Sequence, residues 1–362
     1  MSEQAAIPPV NLVEYQEAAR RVLPRMVYDY YAGGSWDEIT LRENHAAYER
    51  IRLRFRVLRD VSERDLSTAV LGQAVTLPVL LAPTAFHAMA CPEGEVATAR
   101  AAGTAGTVMI LSTLSNHSIE EVIAAASGPV WFQLYVYRDR EATRGLVERA
   151  EAAGSQAIVL TVDAQIWGVR ERDVRNRFQL PPGLKMRNLL ADKKDFPSGQ
   201  EGSRLAAYVT QMFDPSLDWR VLDWLCSITR LPVLVKGIVH PEDARLAVEH
   251  GARGIVVSNH GGRQVDTAPA TIEVLAEVAD AVADRVEVLI DGGIRRGSDV
   301  LKALALGARA VCVGRPVLWG LAVDGQAGVE RVLEILRSEL DTVMALCGAS
   351  RLDQLGRDLI GF

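Results

Sequence analysis

The run Gly254-Ile255-Val256-Val257-Ser258-Asn259-His260-Gly261-Gly262-Arg263-Gln264-Val265-Asp266 changes character after its fourth residue. The first four positions are apolar, three of them β-branched, as in a buried strand. The remainder is polar and glycine-rich, with a histidine and an arginine three positions apart. Imidazole takes a proton near neutral pH. A guanidinium grips a carboxylate through two parallel hydrogen bonds. Glycines let a ligand approach the backbone closely. Taken alone, the segment reads as a turn carrying a solvated histidine and arginine. The rest of the chain argues instead for a strand that ends in a catalytic base and an anion clamp.

Seven further runs share the apolar half of this pattern: Val79 to Ala82, Val108 to Leu111, Trp131 to Tyr135, Ala157 to Thr161, Val233 to Lys236, Val288 to Ile290 and Ala310 to Val313. Between most of them lie alanine-rich segments with helical spacing, such as Glu93 to Ala105, Arg140 to Ala153, Pro241 to His250 and Ser298 to Leu306. A helix after each strand implies parallel pairing, because parallel strands need a crossover. Eight such units predict an α/β fold of the (β/α)8 TIM-barrel type. The doubly wound sheet is the other candidate, but no GxGxxG opens a helix after the first strand. The chain is expected to form one domain over residues 1–362. Residues 1–70 would be a helical extension rich in arginine and aromatics, and residues 71–362 the barrel. Residues 181–215, with the charged stretch Ala191 to Gly199, would be a long active-site loop between the fourth and fifth runs.

Composition limits the function class. The 362 residues are 49% hydrophobic and 24% charged, with a formal net charge of −6, enough for a large core and a poor match to a general nucleic-acid binder. Met1 to Val10 lacks a basic segment followed by an apolar one, and no apolar run reaches the roughly 18 residues of a membrane span. Cys91, Cys226, Cys312 and Cys347 are scattered without metal spacing, so no metal site is expected and free thiols in a reducing cytoplasm are.

Chemistry is expected where the strands end. Those ends offer Pro83, Thr84 and Ala85; Ser112; Gln133 and Tyr135; Thr161 and Asp163; Lys236; Ser258, His260 and Arg263; Asp291 to Gly293; and Gly314 with Arg315. Each has a plain structural explanation: Tyr135 as an amphipathic core residue, Asp163 as a cap, Lys236 as a chain snorkelling to solvent. Their recurrence at corresponding points of one architecture favours a shared site. The turns Asp291-Gly292-Gly293-Ile294-Arg295 and Gly314-Arg315 follow the last two runs, where barrel enzymes often hold phosphate on glycine amides.

The segments VYDYYAGG, APTA, CPEGE, FQLYVY, LTVDA, LPVLVKGI, VSNHGGRQVD, DGGIRRGSDVLKALALGA and VGRP fall in one order along nearly the whole chain. In that order the chain resembles the FMN-dependent 2-hydroxy acid oxidase family, whose fold is a (β/α)8 barrel with FMN across the strand ends. The resemblance implies oxidation of an (S)-2-hydroxy acid to the 2-oxo acid, with oxygen reduced to hydrogen peroxide. It gives His260 the role of base and Asp163 that of its partner, expected to raise the imidazole pKa. Arg170 and Arg263, with Tyr30, would hold the substrate carboxylate, and Tyr135 the substrate oxygen. Lys236 would offset charge on the flavin pyrimidine. Ser112, Gln133, Thr161 and Ser258 would bond the flavin ring, and Pro83, Thr84 and Ala85 would lie at its reactive edge. Asp291, Gly293, Arg295, Gly314 and Arg315 would meet ribityl and phosphate.

Leu114 stands where glycolate-type enzymes tend to have a tryptophan, which implies a substrate larger than glycolate: lactate, a longer aliphatic acid or a mandelate-like acid. Trp167, Phe86 and His87 also depart from the family pattern. Implied partners are the hydroxy acid and oxygen, with a homo-oligomer, tetramer or octamer, and neither nucleic acid nor membrane. A dehydrogenase or monooxygenase of the same family is the alternative reading. A flavin-free phosphate-binding isomerase or synthase is the alternative from another class.

Overall fold

The computed structural model describes residues 8–188 and 203–361. The chain opens with α1 (Leu12–Val22), α2 (Arg25–Ala32) and α3 (Ile39–Arg50). The Asn11 side chain caps α1 by accepting from the Glu14 amide at 2.9 Å. Helical structure ends there: β1 (Arg52–Leu53) and a hairpin of β2 (Thr68–Val70) and β3 (Gln73–Val75) complete the segment before the barrel.

Each of the eight predicted runs is a strand, within a residue or two at either end: β4 (Val79–Leu81), β5 (Met109–Leu111), β6 (Val130–Leu134), β7 (Ile158–Thr161), β8 (Val233–Ile238), β9 (Gly254–Val257), β10 (Glu287–Asp291) and β11 (Ala310–Val313). They pair in parallel and close into a barrel when β11 bonds β4. Helices fill the crossovers: α4 (Gly94–Thr104), α5 (Ile119–Ala125), α6 (Arg140–Ala153), then α7 (Glu171–Arg175), α8 (Arg204–Met212) and α9 (Arg220–Ile228) between β7 and β8. Next come α10 (Pro241–Glu249), α11 (Thr271–Val282), α12 (Gly297–Ala305) and α13 (Arg315–Leu346), the last kinked at Asp324 and Gly325. A final strand, β12 (Ile360–Gly361), pairs antiparallel with β1.

Residues 181–215 are not loop throughout. Helix α8 occupies part of them, capped by the Ser203 hydroxyl accepting from the Ala206 amide. Leu205, Tyr208 and Val209 bury one face of it, the i, i+3, i+4 spacing of an amphipathic helix. The charged stretch Ala191 to Gly199 lies outside the described residues.

Strand alternation decides what faces the barrel interior. Leu80, Ile110, Trp131, Val159, Leu234, Val256, Leu289 and Cys312 belong to one buried inner cluster, whereas Leu81, Leu111, Phe132, Leu160, Val235, Val257, Ile290 and Val313 pack with the outer core. The hairpin residues Val70 and Val75 join the inner cluster and plug one mouth of the barrel. Trp131 Nε1 donates to Gln73 Oε1 at 3.0 Å beside them. Two residues beyond each inner apolar side chain, the same face carries Ala82, Ser112, Gln133, Thr161, Lys236, Ser258, Asp291 and Gly314. The polar ring at the opposite mouth is therefore the next layer of the barrel's own repeat.

Candidate active site

A cleft opens over that ring. Tyr30, Pro83, Thr84, Ala85, Ser112, Leu114, Tyr135, Arg170, Lys236, His260, Arg263, Asp291, Gly293, Arg295, Gly314 and Arg315 line it, and Trp167 joins them. Four of the expected site residues lie behind this surface. Asp163 sits behind His260. Gln133 and Thr161 are buried and bonded to each other, Nε2 to Oγ1 at 3.0 Å, while Ser112 Oγ donates to Gln133 Oε1 at 3.3 Å. Ser258 is fully buried, and its hydroxyl oxygen accepts from Lys236 Nζ at 2.9 Å and from the His260 amide at 3.1 Å.

The histidine sits on a left-handed turn. His260, Gly261 and Gly262 have φ of +57°, +63° and +72°. A non-glycine residue in that region costs about 1–3 kcal/mol, strain that is held where a site over-determines it. A Cβ on Gly262 would stand 2.6 Å from the Leu41 nitrogen, and the turn is braced from that side by helix α3. Asn44 and Asn259 exchange amide hydrogen bonds at 2.9 and 2.8 Å, and the Thr40 amide donates to Asp266 at 2.9 Å.

His260 Nδ1 lies 2.7 Å from Asp163 Oδ1. Burial, with the charges of Lys236 and Arg170, lowers the imidazole pKa below its ordinary value against the opposing pull of Asp163. Asp163 does raise it, as expected, but the ring's desolvation outweighs its partner and the net shift is downward. Burial pushes Asp163 up, but His260 and Lys236 outweigh it and hold the carboxyl below its usual range. The pair therefore rests as neutral imidazole and carboxylate. Nδ1–H donates to Asp163, and Nε2 is left as the basic atom.

Asp163 has room only because residue 237 is glycine. Gly237 sits at a bulge in β8 with φ +111°, and a Cβ there would fall 2.7 Å from both Cβ and Cγ of Asp163. Gln264 laces the two catalytic segments together. Its amide nitrogen donates to the Asp163 and Ile166 carbonyls at 2.7 and 2.8 Å, and its oxygen accepts from the Gly168 amide at 3.1 Å. Neither Gly237 nor Gln264 was singled out in the sequence. The bulge has no local signature, and Gln264 was visible only as part of a motif.

Lys236 points into the cleft, as expected, but it is already paired: its ammonium lies 3.0 Å from Asp291 Oδ2. Burial disfavours its charge, yet Asp291 and Asp163 outweigh that and raise its pKa. The four arginines are different. None of their guanidiniums hydrogen-bonds a carboxylate among the described residues. Arg263 donates to the Tyr30 and Gly33 carbonyls at 2.7 and 2.9 Å, Arg315 to those of Tyr31 and Gly33 at 2.9 Å each, and Arg295 to Ile294. Arg170 is 3% exposed, with Asp173 4.0 Å away. Burial and mutual repulsion press Arg170 down to about 9, and burial presses Arg295 down to about 10. Guanidiniums that line a cleft with no carboxylate in hydrogen-bonding range mark places for anions. They fall into two groups: Arg170 and Arg263 with Tyr30, and Arg295 and Arg315 with the glycine turns.

A family model described as FMN-dependent dehydrogenase matches residues 19–361. The chain belongs to this family. Among curated relatives, the L-lactate oxidase of Nostoc sp. is 54% identical over 96% of both chains. The glycolate oxidase of Spinacia oleracea is 51% identical over 97% of this chain and 95% of its own. Among solved structures, mandelate oxidase with (S)-4-hydroxymandelic acid superposes with a TM-score of 0.93 at 45% identity, covering 98% of each chain. The flavin-free barrel reading falls with this result. The donor set fits FMN: the Arg295 and Arg315 guanidiniums hydrogen-bond only backbone carbonyls, and Asp291 Oδ1 is buried without a hydrogen-bond partner, suited to a ribityl hydroxyl.

Proposed function

We propose that the enzyme oxidises (S)-2-hydroxy acids larger than glycolate to 2-oxo acids, with oxygen as acceptor and hydrogen peroxide as product. One observation carries this reading. A neutral histidine backed by a carboxylate faces the same cleft as buried Arg170 and half-buried Arg263, whose guanidiniums hydrogen-bond no carboxylate among the described residues. FMN, when bound, supplies the two-electron acceptor and its reoxidation by oxygen.

The residues divide the work. Arg170 and Arg263 bind the substrate carboxylate as bidentate donors, and Tyr30 adds a third. Holding that anion orients the Cα–OH group. His260 Nε2 takes a proton, and Asp163 stabilises the imidazolium so formed. Burial keeps the Tyr135 phenol protonated by raising its pKa, so it can donate to the substrate oxygen. Lys236 with Ser258, and Ser112 with Gln133 and Thr161, present polar groups to the flavin ring. Pro83, Thr84 and Ala85 line its reactive edge, and Gly293, Arg295, Gly314 and Arg315 take the phosphate. Leu114 leaves room for a side chain beyond glycolate.

We also propose a cytoplasmic homo-oligomer, a tetramer or octamer. All four cysteines are free, which suits a reducing compartment. The test of function is a panel of 2-hydroxy acids assayed for peroxide with purified protein, beside release and identification of its flavin. The reading predicts one FMN per chain and peroxide from lactate-sized or larger acids. Stoichiometric dye reduction without oxygen uptake would transfer it to a dehydrogenase.

A further inference from the structure

Each arginine of the substrate-side group lies over an aromatic face, and neither guanidinium hydrogen-bonds an acid among the described residues. The Arg170 guanidinium carbon lies 3.7 Å from the Trp167 ring centroid, and that of Arg263 lies 5.1 Å from the Tyr30 ring. Arg170 has little else: its Nε reaches the Arg263 carbonyl only at 3.5 Å, and Asp173 stands 4.0 Å off. The backbone beside the indole is itself fixed. The next residue, Gly168, donates its amide to Gln264 at 3.1 Å, and a Cβ on Gly168 would lie 2.4 Å from the Arg263 carbonyl oxygen. Any larger residue at 168 would push Trp167 off the catalytic turn.

We propose that Trp167 is a positioning and specificity residue: its indole braces Arg170 flat without neutralising it, and its edge limits the room for the substrate side chain. This rests on the 2-hydroxy acid reading above. A carboxylate in place of the indole would compete with the substrate anion for the guanidinium. A π face attracts the cation while leaving its N–H edges and full charge for the ligand. Rotamer freedom is removed from a long side chain before binding, so less is lost when the anion arrives. Trp167 and Leu114 line the same cleft. Leu114 opens space there, and the indole takes some of it back.

Two variants separate the brace from the wall. Trp167→Leu removes both the π face and bulk, and Trp167→Phe keeps a π face but loses bulk. Each holoenzyme is checked for FMN content and melting temperature, then titrated calorimetrically with oxalate, a carboxylate without a Cα hydrogen. Peroxide assays with lactate and mandelate follow. The brace predicts oxalate binding about tenfold weaker in Trp167→Leu and within about threefold of wild type in Trp167→Phe. The wall predicts that both variants raise the ratio of mandelate to lactate efficiency. Oxalate affinity unchanged in a flavin-loaded Trp167→Leu overturns the brace, as does a Trp167→Phe that loses as much. An unchanged ratio overturns the wall. A wild type that neither binds oxalate nor oxidises any hydroxy acid sinks the underlying reading and this inference with it.

Discussion

Asp163→Asn keeps the shape of a side chain and removes its charge, and the structure says what should follow. In the resting pair the imidazole is neutral, and Asn can still accept from Nδ1–H at the 2.7 Å separation seen here. In the transition state the imidazole becomes a cation, and only then is the carboxylate's charge felt in full. Both side chains are nearly enclosed, 18% and 12% exposed, so solvent screens them little. Unit charges about 4 Å apart at an effective dielectric near 20 attract by about 4 kcal/mol. Asn retains part of the hydrogen bond, so the net loss should be about 2–4 kcal/mol, or roughly 30- to 1000-fold in the rate of flavin reduction. The pH profile adds a sign. The base must be neutral, so kcat/KM falls as pH falls through the free-enzyme imidazole pKa. That pKa lies below the ordinary histidine value of 6.5 because burial outweighs Asp163. Removing Asp163 removes the chief influence that raises it, so the acid limb of the variant should lie at still lower pH while its plateau drops. Anaerobic stopped-flow across pH 4.5–8 on flavin-loaded protein measures both. A variant with a normal plateau, or an acid limb moved upward, would refute the reasoning.

Arg170→Lys and Arg263→Lys should each cost about 2–4 kcal/mol in kcat/KM, because lysine cannot form the planar fork on the substrate carboxylate; near-normal efficiency in both on the best substrate counts against the clamp. Leu114→Trp should raise the ratio of glycolate to larger-acid efficiency, a methylene-sized contact being worth about 1–3 kcal/mol; an unchanged ratio removes Leu114 from the pocket wall. Gly237→Ala should displace Asp163 from His260, since the new Cβ meets it at 2.7 Å with φ at +111°. Its flavin reduction should slow at least as much as in Asp163→Asn, with a melting temperature lower than wild type; wild-type reduction kinetics would show that Asp163 can move freely.

The barrel was legible because its strands are buried on both faces and read as unbroken apolar runs with helices between them. The site was legible in its polar residues for the same reason: two positions past each inward apolar side chain, a polar residue has no packing excuse. What was not legible depends on a second segment arriving in space. Gln133, Thr161 and Ser258 look like separate lining residues in a strand-end list, yet in space they are buried and hydrogen-bonded into one layer with Ser112 and Lys236. Gly237 reads as an ordinary strand glycine until Asp163 is seen against it. The Trp167–Arg170 stack needs only three residues of sequence, but the spacing alone does not turn one ring over the other. Helix α8 lies in a stretch whose proline, glycine and charge content masks the short apolar spacing of Leu205, Tyr208 and Val209. The His260 pKa shows the limit most clearly. Its partner could be named from the sequence, but the depth of its burial, which decides the sign, could not.

The central claim is that His260 is the base. The most direct test is anaerobic stopped-flow reduction of His260→Asn by the best 2-hydroxy acid, on protein shown to be folded and loaded with FMN. The account predicts reduction slowed by about 10²–10⁴-fold, the range of a lost general base, with FMN retained and reoxidation by oxygen far less affected. A folded, flavin-loaded His260→Asn reduced at the wild-type rate would contradict it.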